Sequence, residues 1–244
     1  MFLSIITINR NNAEGLKKTL DSVASQTCRD FEHIIIDGAS SDDSVEIIKN
    51  YVASSAGKNV SNWVSEPDSG IYNAMNKGIK KATGQYIALL NSGDWYEPDT
   101  CKIISETAKE SQNDVYYGLL RYINKNNKCE MVLGRTVEML KNCMIAHPTC
   151  FISKNIYSKY LYDENYKYAA DYDLILRIYE SGSSFYFIEK ILANFNTYGI
   201  SSSYKANKES LMIQKKHNLI TPFVYLYKIL YLYVFFLIKG ICRL

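Results

Sequence analysis

The stretch EPDSGIYNAMNKGIKKATGQYIALLNSGDWY, residues 66–96, contains a complete helix–strand unit with its flanking turns. Residues 66–70 are turn formers, and apolar side chains then recur at helical spacing over 71–79. The apolar run 86–90 predicts a buried strand that ends in the polar turn 91–94. A helix that leads into a buried strand is typical of a parallel sheet with helical crossovers.

The chain upstream of this stretch alternates strands and helices in the same way. Residues 2–8 and 31–36 are apolar and rich in β-branched side chains, and the spacing over 16–23 predicts a helix between them. Residues 40–43 have the pattern of a capping box, so we expect a second helix to begin there. We therefore predict an α/β fold with a single Rossmann-like, mostly parallel sheet flanked by helices.

Downstream of the stretch the pattern weakens, although the same domain continues to about residue 204. The elements still indicated are helices at 99–112 and 168–181 and strands at 114–119, 149–152 and 184–188.

Composition limits the class of protein. The 244 residues are 47% hydrophobic and 22% charged, which supports a full core and excludes a disordered or collagen-like chain. The six cysteines form no CxxC pair, and no charged-then-apolar leader opens the chain. We expect reduced thiols, no structural zinc and a cytoplasmic location.

The C-terminal segment, residues 205–244, differs in charge from the rest. It has seven basic residues against one acid, whereas residues 1–204 have 21 basic and 24 acidic. The ten apolar residues 229–238 lie between two lysines, which is shorter than the about 20 needed to span a membrane. We predict a basic helical segment and an interfacial helix at the membrane surface. Packing on the body and a dimer contact are the alternatives.

Two acids follow predicted strands, Asp37 after the second and Asp94 after the fourth. Ligands of parallel sheets bind at the carboxyl ends of the strands, so the pair could hold a hydroxyl-rich ligand and a divalent cation. Either acid alone would be an ordinary turn residue. The sequence has no GxGxxG and no GxxxxGK[ST], so a bound diphosphate would depend on a metal, helix N-termini and cations such as Arg10 or Lys77.

A carboxylate lies on the apolar side of the predicted helix at 168–181. Asp171 falls within roughly 60° of the stripe that includes Leu174 and Ile178. Asp173 and Arg177 fall on the opposite side, as an ordinary surface ion pair. Burial would raise the pKa of Asp171, which suits a general base. The alternative is an internal cap or ion pair.

Four segments resemble a known family: SIITINRN (4–11), IIDGASSDDS (35–44), the stretch 66–96 and AADYDLILRI (169–178). They are similar to family two glycosyltransferases of the GT-A fold, and the likeness is greatest to bacterial enzymes that build O-antigen, colanic-acid-like or capsular polysaccharide. The resemblance covers about residues 1–200. It implies an inverting transferase that moves a sugar from a nucleotide-diphosphate donor, expected to be a UDP-sugar, to a hydroxyl of a lipid-linked glycan.

The resemblance also implies roles for individual residues. Asp171 matches the second acid of the family's "ED" pair and would be the base. Asp37 would bond the nucleotide base. The positions that would border the nucleotide sugar are Thr7, Asn9, Arg10, Asp37, Gly70, Asn76, Lys77, Asn91 and Ser92.

The metal motif of the family is only partly present. The family usually has Asp-x-Asp where this chain has Asn91-Ser92-Gly93-Asp94, so Asp94 is the single remaining carboxylate. Either Asp94 alone anchors Mg²⁺ or Mn²⁺ with the diphosphate, or metal dependence is weak. Trp95 and His147 would contact the acceptor or a phosphate, and the alternatives are a core position for Trp95 and an ordinary loop position for His147.

Two rival functions stay open. A sugar nucleotidyltransferase would need a Gly-rich loop after the first strand, where this chain has residues 9–12, Asn-Arg-Asn-Asn. A degenerate transferase acting as a membrane-bound scaffold is supported by the missing acids at 91 and 93. We expect no nucleic-acid partner and a peripheral location on the inner face of the bacterial cytoplasmic membrane, and a homo-oligomer is left open.

Overall fold

The computed structural model describes residues 1–124, 126, 128–196 and 203–241. Within these ranges a nine-stranded sheet is flanked by helices. The strands are β1 (Leu3–Asn9), β2 (Phe31–Asp37), β3 (Val60–Ser65), β4 (Tyr86–Leu89), β5 (Trp95–Tyr96), β6 (Val115–Ile123), β7 (Cys129–Leu133), β8 (Phe151–Ser153) and β9 (Phe185–Asn196). The helices are α1 (Ala13–Ala24), α2 (Ser44–Ala53), α3 (Ile71–Lys81), α4 (Thr100–Glu110), α5 (Lys154–Tyr157), α6 (Ala170–Glu180), α7 (Tyr204–Lys216) and α8 (Pro222–Ile241).

The first half of the sheet is parallel, in the order β3-β2-β1-β4. Every residue of β1 and β2 is buried, because helices cover both faces. Ile6 packs in the cluster that includes α3 and α6, whereas Ile5 packs in the cluster that includes α4. In the register Asn9 pairs with Asp37, so both side chains reach the same edge of the sheet. The predicted α/β class is confirmed.

The second half makes the sheet mixed. Strand β8 runs antiparallel to β4 and β6, whereas β9 runs parallel to β6 and antiparallel to β5. The short β5 pairs Trp95 with Asn194 and thereby fixes the residue just before it, Asp94. The sequence pattern missed β5 and β7, and it ended β9 at residue 188 instead of 196.

The predicted capping box at 40–43 is wrong. Helix α2 begins at Ser44, and its N-cap Asp43 makes no side-chain capping bond. The Ser40 hydroxyl instead donates to the Asp37 carboxylate at 2.6 Å and accepts from the Asn11 N–H at 2.8 Å and the Asn9 amide at 3.2 Å, so its bonds go to the ends of β1 and β2 and not to a helix N–H.

Helix α7 starts where we predicted the end of the domain, but it packs on the body and buries Ile213. Helix α8 packs on α7 through the rings of Tyr204 and Phe236, 5.7 Å apart, and Lys215 lies over the ring of Tyr225. In the part of the chain that the structure describes, no helix has the length and apolarity to span a membrane. The division at 204/205 stays a prediction.

Candidate active site

The carboxylate of Asp37 is buried at the end of β2 and accepts four hydrogen bonds. They come from the Asn9 amide at 2.8 Å, the Ser40 hydroxyl at 2.6 Å, the Ser40 N–H at 2.9 Å and the Ser65 hydroxyl at 2.6 Å. These bonds outweigh the burial that would raise the pKa of Asp37, and the pKa lies below its usual range. The four bonds occupy the acceptor sites of a carboxylate, so Asp37 orders the strand ends around it. Its predicted bond to a nucleotide base stays a prediction.

Thr7 does not reach the rim. Its side chain is fully buried and its hydroxyl lies 3.0 Å from Nε2 of His33 inside the sheet. The last residues of β1 lie between Thr7 and the edge of the sheet, and its predicted contact with the nucleotide stays a prediction. Arg10, by contrast, is exposed just past β1 and packs beside Gly38.

Lys77 holds the turn that precedes α3. Its ammonium lies 2.7 Å from Glu66, 2.8 Å from Asp68 and 3.1 Å from the carbonyl of Pro67. Those three contacts match the three donors of an ammonium group. Because Gly38 lies against both Asp68 and Arg10, the turn is brought beside the end of β2. Lys77 thus orders this rim, and its contact with a phosphate stays a prediction.

Asn76 is buried and joins α3 to the loop before α6. Its amide donates to the Tyr162 carbonyl at 3.0 Å and to Glu164 at 2.9 Å, and its oxygen accepts from the Tyr162 N–H at 3.0 Å. Gly70 precedes the helix with φ of 152°, a backbone conformation that other residues rarely adopt. Gly70 therefore lets the chain enter α3 at this exposed corner.

The turn 91–94 is held from α1. The Thr19 hydroxyl donates to the Asp94 carbonyl at 2.7 Å and accepts from the Gly93 N–H at 3.0 Å. The Asn12 amide donates to the carbonyl of Ser92 at 3.0 Å. The sequence analysis missed Thr19 and Asn12, because nothing in the helical pattern marks a side chain that bonds a distant turn.

Asp94 is 6% exposed, and within the described ranges no hydrogen bond reaches its carboxylate. Burial therefore raises the pKa of Asp94 well above its ordinary value. Three residues earlier, Oδ1 of Asn91 is also buried and without a hydrogen-bond partner. The carboxylate of Asp94, once it has lost its proton, and the neutral Oδ1 of Asn91 are oxygens of the kind that a hard cation binds, and phosphates and water would supply its remaining ligands. Across the same ranges, no group of three or more His, Cys, Asp or Glu could hold a metal unaided.

Trp95 is partly exposed, and one face of its ring is covered. Nζ of Lys18 lies 3.1 Å from the ring centroid, and burial lowers the pKa of that lysine. A sugar could stack on the opposite face only, and the predicted acceptor contact stays a prediction.

Asp171 lies in the first turn of α6 and is only partly exposed. The Tyr72 hydroxyl is 3.5 Å from its Oδ1. Burial raises the pKa of the Asp171 carboxyl, while nearby His147 and the N–H groups of the helix start oppose the rise. A raised pKa is what the sequence analysis expected of Asp171, and its role as the general base stays a prediction.

His147 lies beside this carboxylate, with Nε2 2.7 Å from the Tyr162 hydroxyl. Burial lowers the pKa of His147, and the charge of Asp171 partly restores it. The Tyr162 ring also stacks on Tyr72, with centroids 5.5 Å apart. His147 and the two tyrosines therefore form one wall around Asp171, of which the sequence analysis had found only the histidine.

A cavity of about 190 Å³ opens between the start of α3 and the loop before α6. Gly70, Tyr72, Glu164 and Lys167 are among its lining residues. Because Tyr72 also contacts Asp171, the cavity shares a wall with the candidate base.

The predicted surface ion pair of Asp173 and Arg177 is wrong in its location. Asp173 is fully buried, and its carboxylate contacts Arg177 at 2.7 Å, Lys216 at 2.8 Å and His217 at 3.2 Å. Helix α7 covers the face of α6 that the sequence pattern assigned to solvent. The cations hold the pKa of Asp173 below its usual range despite burial.

The mixed α/β sheet, with Asp94 at the strand rim and Asp171 at a helix start, is the arrangement expected from the resemblance to glycosyltransferases of the GT-A fold. A sequence-family model described as Glycosyl transferase family 2 matches residues 4–165, so the chain belongs to this family. The predicted family, the GT-A fold and the glycosyltransferase class are confirmed.

Curated relatives cover most of the chain. A PGL/p-HBAD biosynthesis glycosyltransferase of Mycobacterium bovis is 30% identical over 214 residues, which are 85% of this chain and 82% of that protein. Hyaluronan synthase of Pasteurella multocida is 30% identical over 219 residues, which are 86% of this chain and 21% of that protein. The relatives therefore belong to glycoconjugate biosynthesis.

Solved structures show the same fold. S. aureus TarS 1-349 in complex with UDP has a TM-score of 0.69 and 19% identity, over 91% of this chain and 67% of that one. The mannosyltransferase PcManGT from Pyrobaculum calidifontis, in complex with GDP-Man and Mn²⁺, has a TM-score of 0.68 and 14% identity, over 94% and 68%. This chain thus spans about two thirds of each.

Proposed function

We propose that this chain is an inverting glycosyltransferase that moves a sugar from a UDP-sugar to a hydroxyl of a lipid-linked glycan in bacterial surface polysaccharide synthesis. The observation that carries the proposal is the environment of Asp171, which lies at a helix start beside the Tyr72 hydroxyl and near His147, and whose pKa is raised by burial. Relatives named for PGL/p-HBAD biosynthesis and for hyaluronan synthesis support a place in glycoconjugate biosynthesis. Solved complexes of TarS with UDP and UDP-GlcNAc support the donor.

In the proposed reaction Asp171 accepts the proton of the acceptor hydroxyl while the oxygen forms its bond to the anomeric carbon of the donor. The bond from that carbon to the diphosphate breaks in the same step, so the anomeric configuration inverts. The Tyr72 hydroxyl orients the carboxylate, and the cavity of about 190 Å³ beside it is small compared with a typical drug-sized ligand site, which suits a single sugar ring.

The donor diphosphate is proposed to be held with Mg²⁺ or Mn²⁺ at Asp94 and Oδ1 of Asn91. The cation would neutralise charge on the departing diphosphate. The chain's own contribution is the turn 91–94, which Thr19 fixes by two hydrogen bonds. The Mn²⁺ complex of PcManGT supports a metal in a protein of the same fold.

Slow hydrolysis of the donor tests this function without the acceptor. The purified protein is incubated with UDP-glucose, UDP-galactose, UDP-GlcNAc and GDP-mannose in the presence of Mn²⁺, and nucleotide diphosphate release is measured. We expect one UDP-sugar to be hydrolysed faster with the protein than in a sample that contains the same UDP-sugar and Mn²⁺ without protein. Binding without turnover of any donor would contradict the proposal and favour the scaffold.

We also propose that α8 holds the enzyme at the inner face of the cytoplasmic membrane. Its exposed side includes Phe223, Leu226, Leu230 and Tyr231, each more than 60% exposed. Helices α7 and α8 also carry several lysines, among them Lys205, Lys208, Lys215 and Lys228. An amphipathic surface of aromatic rings and cations suits the headgroup region of an anionic bilayer, where a lipid-linked acceptor would be presented.

A further inference from the structure

One carboxylate of α7 holds the chain segment that leads into α6. Oε1 of Glu209 accepts from the Lys167 N–H at 3.0 Å, and its Oε2 accepts from the N–H groups of Tyr168 at 2.6 Å and Ala169 at 2.7 Å. These are three successive backbone donors. In sequence Glu209 is 40 residues beyond Ala169, so the contact is entirely tertiary.

These donors lie at the N-cap residue of α6, Ala169, and at the two residues before it. Ala169 offers no side-chain acceptor of its own. Glu209 therefore fixes the chain immediately before the first turn of α6, and its charge suits the positive end of that helix.

Asp171 lies two residues beyond the last of these donors, in the first turn of α6. The backbone that Glu209 fixes therefore sets where the Asp171 carboxylate points. The same segment includes Lys167, which lines the cavity beside Tyr72.

A second contact keeps α7 docked independently of Glu209. Asp173 of α6 is paired with Lys216 at 2.8 Å and with His217 at 3.2 Å, at the far end of α7. Removing the Glu209 carboxylate should therefore release the segment 167–169 while the two helices stay together.

We propose that Glu209 is a positioning residue for Asp171. This proposal rests on the proposed role of Asp171 as the base. Glu209 touches neither donor nor acceptor, and it acts by holding the start of α6 so that the carboxylate of Asp171 stays shielded and correctly aimed.

The test compares Glu209→Gln with Glu209→Asp and with the matched control Lys208→Gln, an exposed neighbour on the same helix. Gln keeps one acceptor oxygen and turns an amide toward a backbone donor, so at least one of the three bonds is lost. With the UDP-sugar hydrolysed by the wild type, we expect kcat of Glu209→Gln to fall by about 10- to 100-fold while KM for the donor stays within about twofold. Glu209→Asp keeps both oxygens and should recover part of kcat.

A second readout separates positioning from a loss of folded protein. If the segment loosens, water reaches Asp171, and its pKa should fall toward the ordinary value; the acidic limb of the kcat–pH profile then moves to lower pH. A ¹³C-carboxyl titration of Asp171, assigned with Asp171→Asn, should show the same direction. Fewer folded molecules would lower the amplitude of the profile and leave the limb in place.

The outcomes distinguish the two proposals. Unchanged kcat and an unchanged acidic limb in Glu209→Gln, with Asp171→Asn inactive, would overturn the positioning role alone. Full activity of Asp171→Asn would overturn the proposed base and with it this proposal. An equal shift of the acidic limb in Lys208→Gln would also overturn the positioning role, because the shift would then not depend on the carboxylate of Glu209.

Discussion

At the scale of single residues, the buried carboxylates fall into two groups. Asp37 accepts four hydrogen bonds, and Asp173 contacts Arg177, Lys216 and His217, so both have pKa values below their usual range. Asp94 and Asp171 lack comparable partners, and both have raised pKa values. A carboxylate whose hydrogen bonds and ion pairs offset the cost of its burial stabilises the fold. A carboxylate without such partners is available to bind a cation or to accept a proton. The chemistry is therefore expected at Asp94 and Asp171.

Replacing Asp171 by Asn should remove the base and leave the shape of the site. We expect kcat of transfer and of donor hydrolysis to fall by about 10²- to 10⁴-fold, because an amide cannot accept the proton. The dissociation constant for UDP should stay within about twofold, measured by calorimetry, since Asp171 does not hold the nucleotide in the proposed reaction. The exposed Asp21→Asn in α1 is the control and should match the wild type. Full transfer by Asp171→Asn would refute the assignment.

Replacing Asp94 by Asn should stabilise the free protein at neutral pH. Because burial raises the pKa of Asp94, the folded protein holds a proton that the unfolded chain releases, and stability falls as pH rises above about 4. Asn has no charge to bury, so Tm of Asp94→Asn should exceed that of the wild type at pH 7, and the gap should close toward pH 4.

Manganese separates this effect from simple repacking. Addition of Mn²⁺ with UDP should raise Tm of the wild type by mass action and should leave Asp94→Asn unchanged. Asn91→Ala should show a smaller response than the wild type, since it loses one of the two oxygens. Equal Mn²⁺ shifts in all three proteins would refute a cation at this turn.

At the scale of elements, α3 lies unusually close to β1. A Cβ on Gly78 would come within 2.4 Å of the Cγ2 of Ile6, a stiff side chain in the centre of the sheet. Gly78 thus lets α3 pack closely on the sheet near the end of the helix.

Gly78→Ala should therefore destabilise the protein although Ala favours a helix by about 1 kcal/mol. We expect a net loss of about 1–3 kcal/mol in the free energy of unfolding in urea, because β1 or α3 must move to admit the methyl group. Lys80→Ala, at an exposed position of the same helix, isolates the helix-propensity gain and should be neutral or stabilising. A Gly78→Ala protein as stable as Lys80→Ala would show that the packing is loose.

The elements also show what the sequence could and could not predict. Strands β1 and β2 were found because helices bury both of their faces, which leaves an unbroken apolar run. The burial of Asp173 was missed because the periodicity of α6 does not reveal that α7 covers its second face. Lys77 was recognised as a cation near the rim, but its partners, Glu66 and Asp68, depend on a turn that no pattern fixes. Element types were thus predictable, whereas side-chain partners required the tertiary structure.

At the scale of the whole molecule, the proposed base and the proposed membrane helix are joined through one element. Helix α7 carries Glu209, which holds the start of α6, and it also carries Tyr204, which packs on α8. If α8 lies on the bilayer, α7 is next to the surface, and the side of the protein that includes the start of α6 is near the headgroups. That arrangement would let a lipid-linked acceptor reach Asp171 without leaving the membrane.

Binding to vesicles tests the membrane proposal on the full chain. Leu226→Glu/Leu230→Glu places two charges on the exposed side of α8, where both leucines are more than 60% exposed. We expect the wild type to co-sediment with phosphatidylglycerol-containing vesicles and the double variant to bind about tenfold or more weakly, because each leucine contributes about 1.5–3 kcal/mol of apolar burial. High salt should weaken the wild type only in part, since screening acts on the lysines and leaves the apolar contact.

The matched control is Val132→Glu on the exposed strand β7, which adds a charge to an exposed apolar position far along the chain from α8 and should bind vesicles like the wild type. Size-exclusion chromatography of the same three proteins separates the membrane from a self-association surface. A dimer that the double variant converts to a monomer, with equal vesicle binding by all three, would mean that a second copy covers α8. The membrane proposal is supported if the double variant alone fails to co-sediment with vesicles while all three proteins elute at the same volume. The equal elution volumes then exclude a change in folding or self-association, and normal binding by Val132→Glu excludes an effect of added charge alone.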